Sequence, residues 1–210
     1  HAMLRVHPLG GAPLDVVPDD AGGMVRIGRT DDRDAAAVTV VVDSYIAPTR
    51  WIDVSWDGAR SERHVRTTLG VDASAYVSER RLAPSADGTL VPVILVRHMD
   101  TPLDGTAPCL LYGYGSYEVC LDPDWDFERP LPSLLDRGVV YALGHPRGGG
   151  EMGRQWWEDG HLAAKQNTFT DHGAVAAYLL DGVVSSVVSR GLSAGGLLQG
   201  AMYSQFPQLF

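Results

Sequence analysis

Nine residues near the carboxyl end of the sequence constrain the fold more than any other stretch: Arg190-Gly-Leu-Ser-Ala-Gly-Gly-Leu-Leu198. They contain the pattern Gly-x-Ser-x-Gly between a β-branched run over 183–188 and an apolar run that suits a helix. A strand, a sharp turn and a helix together present a serine nucleophile above an α/β sheet. Such a turn strains the serine backbone and needs small neighbours, which Gly191 and Gly195 supply. We therefore predict that Ser193 is a nucleophile, beside the N–H of Ala194 at a helix N-terminus.

Composition narrows the class of protein and of partner. Of the 210 residues, 45% are hydrophobic and 20% are charged, which is ordinary for a soluble globular protein. The net charge of −9 disfavours nucleic acid as a partner. No apolar run reaches the roughly twenty residues of a membrane span, so no membrane association is expected. We expect a cytoplasmic protein.

The cysteines and histidines argue against a metal or another cofactor. Cys109 and Cys120 are too few for a disulfide framework, and we interpret them as free thiols. No Cys/His cluster has the spacing of a zinc site. The glycine loop, His145–Glu151, lacks the lysine and hydroxyl residue of a phosphate-binding loop. We therefore predict no metal and no cofactor.

The pattern of apolar residues changes along the chain. Residues 4–66 contain short alternating runs separated by Asp-Gly turns, which predict β structure and are typical of one propeller blade or part of a sandwich. Residues 67–75 are small and polar and are interpreted as a linker. From residue 76 onward, strand and helix signals alternate, including a helix over 168–180 and a strand over 183–189. This alternation predicts an α/β fold with a mostly parallel sheet.

Three loops are expected to meet at the carboxyl ends of the parallel strands. They are the tyrosine loop (Tyr112–Tyr117), the glycine loop and the turn at Ser193. A tyrosine hydroxyl beside Ser193 could donate a hydrogen bond to an oxyanion. The alternative, that the glycines form a turn and the tyrosines pack, stays open. In the glycine loop we expect close backbone packing, with Arg147 paired to a carboxylate.

A base for Ser193 is harder to find. A serine hydroxyl needs a base and an orienting carboxylate before it becomes a good nucleophile. No histidine follows Ser193, and we interpret His145 as a structural hydrogen-bonding residue. His161 and His172 precede the serine, as do Asp159 and Asp171, on segments whose placement the sequence does not determine. We expect the acid and the base to come from outside this sequence.

Five motifs, in order and in register over roughly residues 40–210, resemble the prolyl oligopeptidase family of serine peptidases. The forms Arg-Gly-Gly-Gly-Glu-Met-Gly and Trp-Glu-Asp-Gly, with Ser-Glu-Arg at 78–80, resemble the oligopeptidase B branch most. The five motifs are Tyr112-Gly-Tyr-Gly-Ser-Tyr117, Arg147-Gly-Gly-Gly-Glu-Met-Gly153, Trp157-Glu-Asp-Gly160, Lys165-Gln-Asn-Thr-Phe169 and Gly191-Leu-Ser-Ala-Gly-Gly-Leu197.

The resemblance implies a seven-bladed β-propeller over an α/β-hydrolase domain, and hydrolysis of short peptides after arginine or lysine. Ser193 matches the family's nucleophile. Tyr114 matches the tyrosine of the oxyanion hole, to which Ala194 adds its N–H, and Tyr117 matches the aromatic residue of the specificity pocket. The implied organisation is the last propeller blade at 4–66, the linker, and the first part of a partial α/β-hydrolase domain at 76–210.

The sequence departs from the family pattern in ways that leave the function open. The family's catalytic Asp and His, the acidic residues that recognise a basic side chain and most of the propeller have no counterpart here. The stretch 181–189 is also shorter than usual. We expect the open sheet edge either to destabilise the chain or to pair with a second chain that supplies the Asp and His. The alternatives are a post-proline peptidase or acyl-peptide hydrolase of the same superfamily, and a catalytically silent interaction or folding module.

Overall fold

The structure is a computed structural model that describes residues 3–7, 11–16, 23–29, 32, 34–65, 71–123 and 131–210. The chain divides into two units: His1–Ser78 with Asp122–Arg129, and Glu79–Leu121 with Pro130–Phe210. The predicted linker over 67–75 lies in part outside the described residues. Its described part contains one turn of 3₁₀ helix, Ala73–Ala75.

All regular structure described before residue 66 is β, as the alternating runs predict. The strands are β1 (Leu4–Val6), β2 (Leu14–Val16), β3 (Met24–Ile27), β4 (Ala37–Asp43), β5 (Arg50–Ser55) and β6 (Arg60–Val65). β1 pairs antiparallel with β2, and β3 to β6 form a four-stranded antiparallel sheet in chain order. The assignment of this sheet to a β-propeller stays a prediction.

The core of this first unit is organised by the valine run of β4. Side chains alternate between the two faces of a strand, so Val38, Val40 and Val42 point the same way. They pack with Val25 of β3 and Val54 of β5 in one buried cluster. Burying several β-branched side chains on a pleated surface is the main stabilising contribution available to so small a sheet.

Among the described residues, the second unit is built on a five-stranded sheet and four helices. The strands are β7 (Tyr76–Pro84), β8 (Leu90–His98), β9 (Pro108–Gly113), β10 (Val140–Gly144) and β11 (Ser186–Arg190), and the helices are α1 (Leu131–Leu135), α2 (Arg154–Glu158), α3 (Lys165–Leu180) and α4 (Ala194–Gln205). The strand order is β11-β9-β10-β8-β7. β9, β10 and β11 are parallel, and β8 runs antiparallel to β10. A mixed α/β architecture is therefore confirmed.

Two boundaries differ from those the sequence predicts. α3 begins at Lys165, three residues before the expected start. The strand predicted over 183–189 begins only at Ser186, so its first part was wrong. Val183 and Val184 instead donate their N–H groups to the carbonyl of Leu179 and close the end of α3. Their side chains still enter the buried core, so their apolar character serves packing rather than a strand.

The parallel register brings three strand ends together. Gly113 of β9 pairs with Gly144 of β10, and Tyr112 pairs with Arg190 of β11. The carboxyl ends of β9, β10 and β11 therefore lie side by side. This is the edge at which parallel α/β sheets place their ligand-binding loops.

Candidate active site

Ser193 forms the turn between β11 and α4. Its backbone φ of 56° and ψ of −118° lie in a region that residues with a side chain rarely adopt. Such a residue costs about 1–3 kcal/mol, and strained residues cluster at functional sites. The serine is exposed, and among the described residues its hydroxyl has no hydrogen-bond partner. The predicted context of strand, sharp turn and helix is confirmed.

Two glycines allow the backbone to cross itself around this turn. A β-carbon on Gly191 would lie 2.3 Å from the carbonyl oxygen of Gly195. One on Gly195 would lie 2.9 Å from the carbonyl oxygen of Gly113. Both contacts are with backbone, which cannot rotate away as a side chain can. The prediction that these two positions require glycine is confirmed.

Ala194 and Tyr114 lie beside the serine turn. Ala194 is the first residue of α4, so its N–H has no acceptor within the helix, and the positive end of the helix dipole is at the same place. Tyr114 follows β9, and its ring atom Cδ2 lies 3.6 Å from the β-position of Gly195. The fold thus brings the tyrosine, the helix N-terminus and Ser193 into one neighbourhood. A backbone donor and a phenol are the groups that stabilise an oxyanion.

Tyr117 lies on the same loop but does not pack into the protein. Its side chain is 75% exposed and its φ is 59°, and Glu118 beside it has a φ of 58°. Two successive residues with positive φ give the end of the tyrosine loop an unusual backbone path. The aromatic ring is therefore presented to solvent, where a ligand can reach it.

The tyrosine loop and the glycine loop are in direct backbone contact. A β-carbon on Gly148 would lie 2.3 Å from the carbonyl oxygen of Gly115, and one on Gly150 would lie 2.3 Å from that of Glu118. The Glu118 N–H donates to the carbonyl of Gly148 at 3.3 Å. Since Gly113 and Tyr114 also contact Gly195, the three loops meet as predicted. The glycines of the second loop serve close packing, as the sequence analysis expected.

Arg147 of the glycine loop pairs with a carboxylate, as predicted. Its Nε and Nη2 donate to Asp171 at 2.8 and 2.7 Å, and its Nη1 donates to Asp87 at 2.7 Å. Asp171 is fully buried and accepts a further hydrogen bond from Ser85 at 2.7 Å. Hydrogen bonding to Asp171 raises the pKa of Arg147 above its ordinary value. The pKa of Asp87 falls to about 2, first through the Thr89 N–H and then through Arg147.

His145 has a structural environment, in agreement with the sequence interpretation. Its Nδ1 lies 3.1 Å from Oε1 of Glu151, and the same oxygen accepts the N–H of Leu121 at 3.1 Å. Its carbonyl accepts the indole N–H of Trp156 at 3.2 Å. The contact between the His145 imidazole and the Glu151 carboxylate therefore joins the two ends of the glycine loop, and it engages the Nδ1 atom of the ring.

His172 is buried on α3, below the tyrosine loop. Its Nε2 lies 2.9 Å from the hydroxyl of Ser189 on β11, and its Nδ1 is buried without a partner among the described residues. Burial lowers the pKa of His172 to about 4, so the ring is neutral at physiological pH. The ring packs against Gly113, where a β-carbon would lie 2.5 Å from Nδ1.

The remaining candidates for an acid or base are also engaged elsewhere. His161 stacks on the ring of Trp157 with centroids 3.9 Å apart. Asp159 accepts a hydrogen bond from Gln155 at 2.9 Å. Within the described ranges no histidine or carboxylate is hydrogen-bonded to Ser193. The site has a candidate nucleophile and candidate oxyanion donors, and these side chains do not supply a base to it.

Sequence reasoning gave no role to Lys165 and Thr168, which lie in the first turn of α3. The Lys165 amine donates to the carbonyl of Gly115 at 2.6 Å and to the hydroxyl of Ser116 at 2.7 Å. The buried Thr168 hydroxyl donates to the carbonyl of Arg147 at 2.6 Å. Two features of the sequence pointed to them: both lie in the motif Lys165–Phe169, and Lys165 is the single lysine in a chain with sixteen arginines.

Other kinds of site find little support in the described part of the chain. Three or more potential metal ligands do not cluster among those residues. None of the helices described is both long enough and apolar enough to cross a bilayer. Cys109 and Cys120 form no disulfide in the described part of the chain, as predicted, and burial raises the pKa of Cys109 to about 12, so that thiol is unreactive.

A strained, exposed serine between a parallel strand and a helix, beside an unpaired helix N–H, is an arrangement typical of α/β-hydrolase-type serine enzymes. Comparison with known proteins narrows this class. A model described as the prolyl oligopeptidase family matches residues 125–210. The chain is confirmed as a member of the prolyl oligopeptidase family of serine peptidases.

Individual relatives support this membership. Dipeptidyl aminopeptidase BI of Pseudoxanthomonas mexicana is 48% identical over 157 residues, covering 73% of this chain and 21% of that protein. Protease 2 of Moraxella lacunata is 45% identical over 143 residues, covering 66% and 20%. Oligopeptidase B from Trypanosoma brucei, solved with covalently bound antipain, superposes with a TM-score of 0.85 and 36% identity over 94% of this chain and 29% of that one. The chain spans about a fifth of the length of the curated relatives it matches.

Proposed function

We propose that this chain carries the nucleophile of a serine oligopeptidase that hydrolyses short peptides through an acyl-enzyme on Ser193. The observation that carries the proposal is the strained Ser193, held by Gly191 and Gly195 with its hydroxyl open to solvent. The Ser193 oxygen attacks the peptide carbonyl, and the amine leaves with a proton from the base. Water then hydrolyses the ester and regenerates the serine.

In this mechanism the developing oxyanion is stabilised by Ala194 and Tyr114. The Ala194 N–H is free of intrahelical bonding, and the Tyr114 ring packs against the turn through Gly195. One such donor contributes roughly 3–4 kcal/mol of transition-state stabilisation. Tyr117, exposed at the end of the tyrosine loop, forms an apolar wall for the substrate residue next to the cleaved bond.

We further propose that cleavage follows arginine or lysine. The support is the likeness to a structure named oligopeptidase B, together with the net charge of −9, which suits cationic peptides. A second candidate is cleavage after proline, which is favoured by relatives that carry the names prolyl oligopeptidase and prolyl endopeptidase.

The base and its carboxylate come, in this proposal, from a polypeptide segment outside this sequence or from a second chain. No His, Asp or Glu follows Ser193. The described histidines His145, His161 and His172 have other contacts. Among the described strands β11 pairs with β9 on one side only, and its other side provides backbone groups on which such a segment can pair.

The proposed organisation keeps the predicted boundaries. Residues 4–66 form the last blade of a β-propeller, 67–75 a linker and 76–210 the first part of the α/β-hydrolase domain. The four-stranded antiparallel sheet β3–β6 supports the first assignment. The proposed location is the cytoplasm, a reducing compartment that suits the two free cysteines.

The nucleophile is tested by labelling the native chain and a Ser193→Ala variant with a fluorophosphonate probe, each sample first shown to be folded by circular dichroism. We expect slow labelling of the chain alone, and rapid labelling once a polypeptide supplying the His and Asp is bound. Ser193→Ala should remove both. Rapid Ser193-dependent labelling of the isolated chain would instead mean that a base within this sequence reaches the serine.

The specificity is tested in the reactive complex with fluorogenic peptides that differ only in the residue before the cleaved bond. Arginine and lysine peptides should be hydrolysed much faster than the matched proline peptide. A blocked and an unblocked N-terminus on the same peptide separate an oligopeptidase from a dipeptide-releasing enzyme. Faster hydrolysis after proline would overturn the basic preference, and no hydrolysis of any peptide would favour a silent module.

A further inference from the structure

The single lysine of the chain is attached to the loop that carries Tyr114 and Tyr117. Lys165 stands in the first turn of α3 and is half-buried. Its amine donates to the carbonyl of Gly115 at 2.6 Å and to the hydroxyl of Ser116 at 2.7 Å. These two acceptors lie between the two tyrosines, so the amine contacts the tyrosine loop at its centre.

Gly115, whose carbonyl accepts from Lys165, lies in a crowded part of the site. Gly115 has a φ of +61°, and a β-carbon there would lie 2.5 Å from the Thr168 methyl group. Thr168 stands three residues after Lys165, so both side chains lie on the same face of α3. The loop is thus pressed against α3 by packing, and the Lys165 amine supplies its charged hydrogen bonds.

Both acceptors of the amine are neutral. Within the described residues Lys165 has no ion pair, and its nearest ring contact is Phe169, 5.9 Å from the amine. The charged groups on the packed elements have other partners. Arg147 is bound to Asp171, Glu118 is bound to Arg154, and His161 lies against Trp157. A half-buried ammonium with no carboxylate beside it is held only by its contacts with the loop, and burial lowers its pKa to about 8.

We propose that Lys165 is a positioning residue whose amine holds the tyrosine loop in the conformation that places Tyr114 beside Ser193. The proposal rests on the function proposed above for Tyr114. Both the charged and the neutral amine have N–H donors for the two acceptors, and burial favours the neutral form, so loss of the proton does not by itself release the loop. An arginine at the same place would also keep N–H donors.

The first test uses the native chain and needs no variant. Because the chain has one lysine, biosynthetic labelling with ¹³C-lysine gives one side-chain signal, which is followed from about pH 6 to pH 11. We expect a midpoint near pH 8, because the amine is half-buried against the loop. An undocked lysine binds its proton more tightly, so the protection factor of the Glu118 amide, which is hydrogen-bonded to Gly148, should not fall through this midpoint. A midpoint near the ordinary lysine value of about 10.4, or a loss of Glu118 protection near pH 8, would overturn the proposal.

The second test compares three variants. Lys165→Met keeps the apolar stem and removes the donor, and it should lower Glu118 protection about tenfold at neutral pH, which corresponds to the loss of one charged hydrogen bond. Lys165→Arg should restore most of that protection, because the guanidinium also has N–H donors for the loop. Gln166→Met, an exposed neighbour on α3, should behave as the native chain. Equal protection in Lys165→Met and Gln166→Met would contradict the proposal.

A third measurement separates this proposal from the proposed function. In the complex that labels with fluorophosphonate, Lys165→Met should slow Ser193 labelling about tenfold and Lys165→Arg should recover it. The exchange and titration results do not depend on a reactive serine. A serine that never labels, in a chain whose loop still responds to Lys165, would count against the peptidase function only.

Discussion

Three side chains of α3 illustrate how residue-scale choices support the site. Lys165 bonds the tyrosine loop, Asp171 neutralises Arg147, and His172 packs its ring under Gly113. Each is polar and each is at least half-buried, so each needs a partner or must stay neutral. The buried His172 ring stays neutral, with one ring nitrogen bonded to Ser189 and the other unpartnered among the described residues.

The neutrality of His172 predicts a loss of stability in acid. Its pKa is about 4 in the folded chain and about 6.5 when unfolded. Between these values the unfolded state binds more protons, so the free energy of unfolding decreases as the pH falls from about 6.5 to 4. At pH 5 the native chain should have lost about 2 kcal/mol relative to pH 7.5 from this residue. Urea unfolding at both pH values measures this difference in the free energy of unfolding.

The control for this acid effect is a residue of the same helix that does not titrate. His172→Gln should reduce the difference in stability between pH 7.5 and pH 5, although it also lowers stability at both. Gln166→Met, at an exposed position of α3, should leave the pH dependence unchanged. The same pH dependence in His172→Gln as in the native chain would show that another group titrates.

At the scale of elements, the site is built from loops that are joined by backbone contacts and by one buried ion pair. Arg147 connects the turn between β7 and β8, through Asp87, to α3, through Asp171. Arg147 belongs to the glycine loop, and α3 also bonds the tyrosine loop through Lys165. The position of each loop therefore depends on contacts between segments that are far apart in sequence.

Removing one partner of this buried pair should be costly. Arg147→Met leaves Asp171 charged and without its guanidinium, and should destabilise the chain by about 3–5 kcal/mol in urea unfolding. Arg154→Met is the matched control, since Arg154 is exposed and its two ion pairs should contribute less than about 1 kcal/mol. The double variant Arg147→Met/Asp171→Leu should recover part of the loss. A fully additive double variant would argue against the pairing.

The serine turn makes a separate prediction about its glycines. Gly191→Ala places a methyl group against the Gly195 carbonyl and should destabilise the chain by about 1–3 kcal/mol and slow Ser193 labelling. Gly200→Ala, at an open position within α4, should stabilise by about 0.5–1 kcal/mol because alanine loses less backbone entropy in a helix. Thermal unfolding of the two variants measures both changes in stability. Similar shifts of the melting temperature in both would contradict the predicted close contact between the backbones of Gly191 and Gly195.

The sequence predicts local patterns well and long-range contacts poorly, for a physical reason. The turn at Ser193 and the alternation of strands and helices depend on residues that are neighbours in the sequence. The start of β11 was misplaced because Val183 and Val184 have strand propensity yet are used to close α3. The bond from Lys165 to Gly115 joins residues 50 positions apart, and no local pattern encodes it.

At the scale of the whole molecule, the main open feature is the edge of the second sheet. Within the described part of the chain β11 pairs with β9 on one side only. Val188, on this strand, is 63% exposed, and Leu197 and Tyr203 of α4 are also exposed. An unpaired strand with apolar side chains is a template for pairing with another chain.

This edge predicts concentration-dependent association of the native chain, measured by sedimentation velocity. Val188→Lys should weaken that association, because a charge on the edge disfavours pairing. Leu162→Lys, which replaces a similarly exposed apolar residue away from the edge, should not. Equal association in the two variants would exclude β11 as the contact.

The single lysine also determines how the protein can be handled. Reagents that couple to amines, including sensor-chip chemistry and most fluorescent dyes, can react only with Lys165 and the chain's own terminal amine. Attachment at Lys165 would remove the amine that bonds the loop carrying Tyr114, so immobilised or dye-labelled samples would report a disturbed site. Attachment through Cys120, which is exposed, or through an added terminal tag leaves that amine untouched.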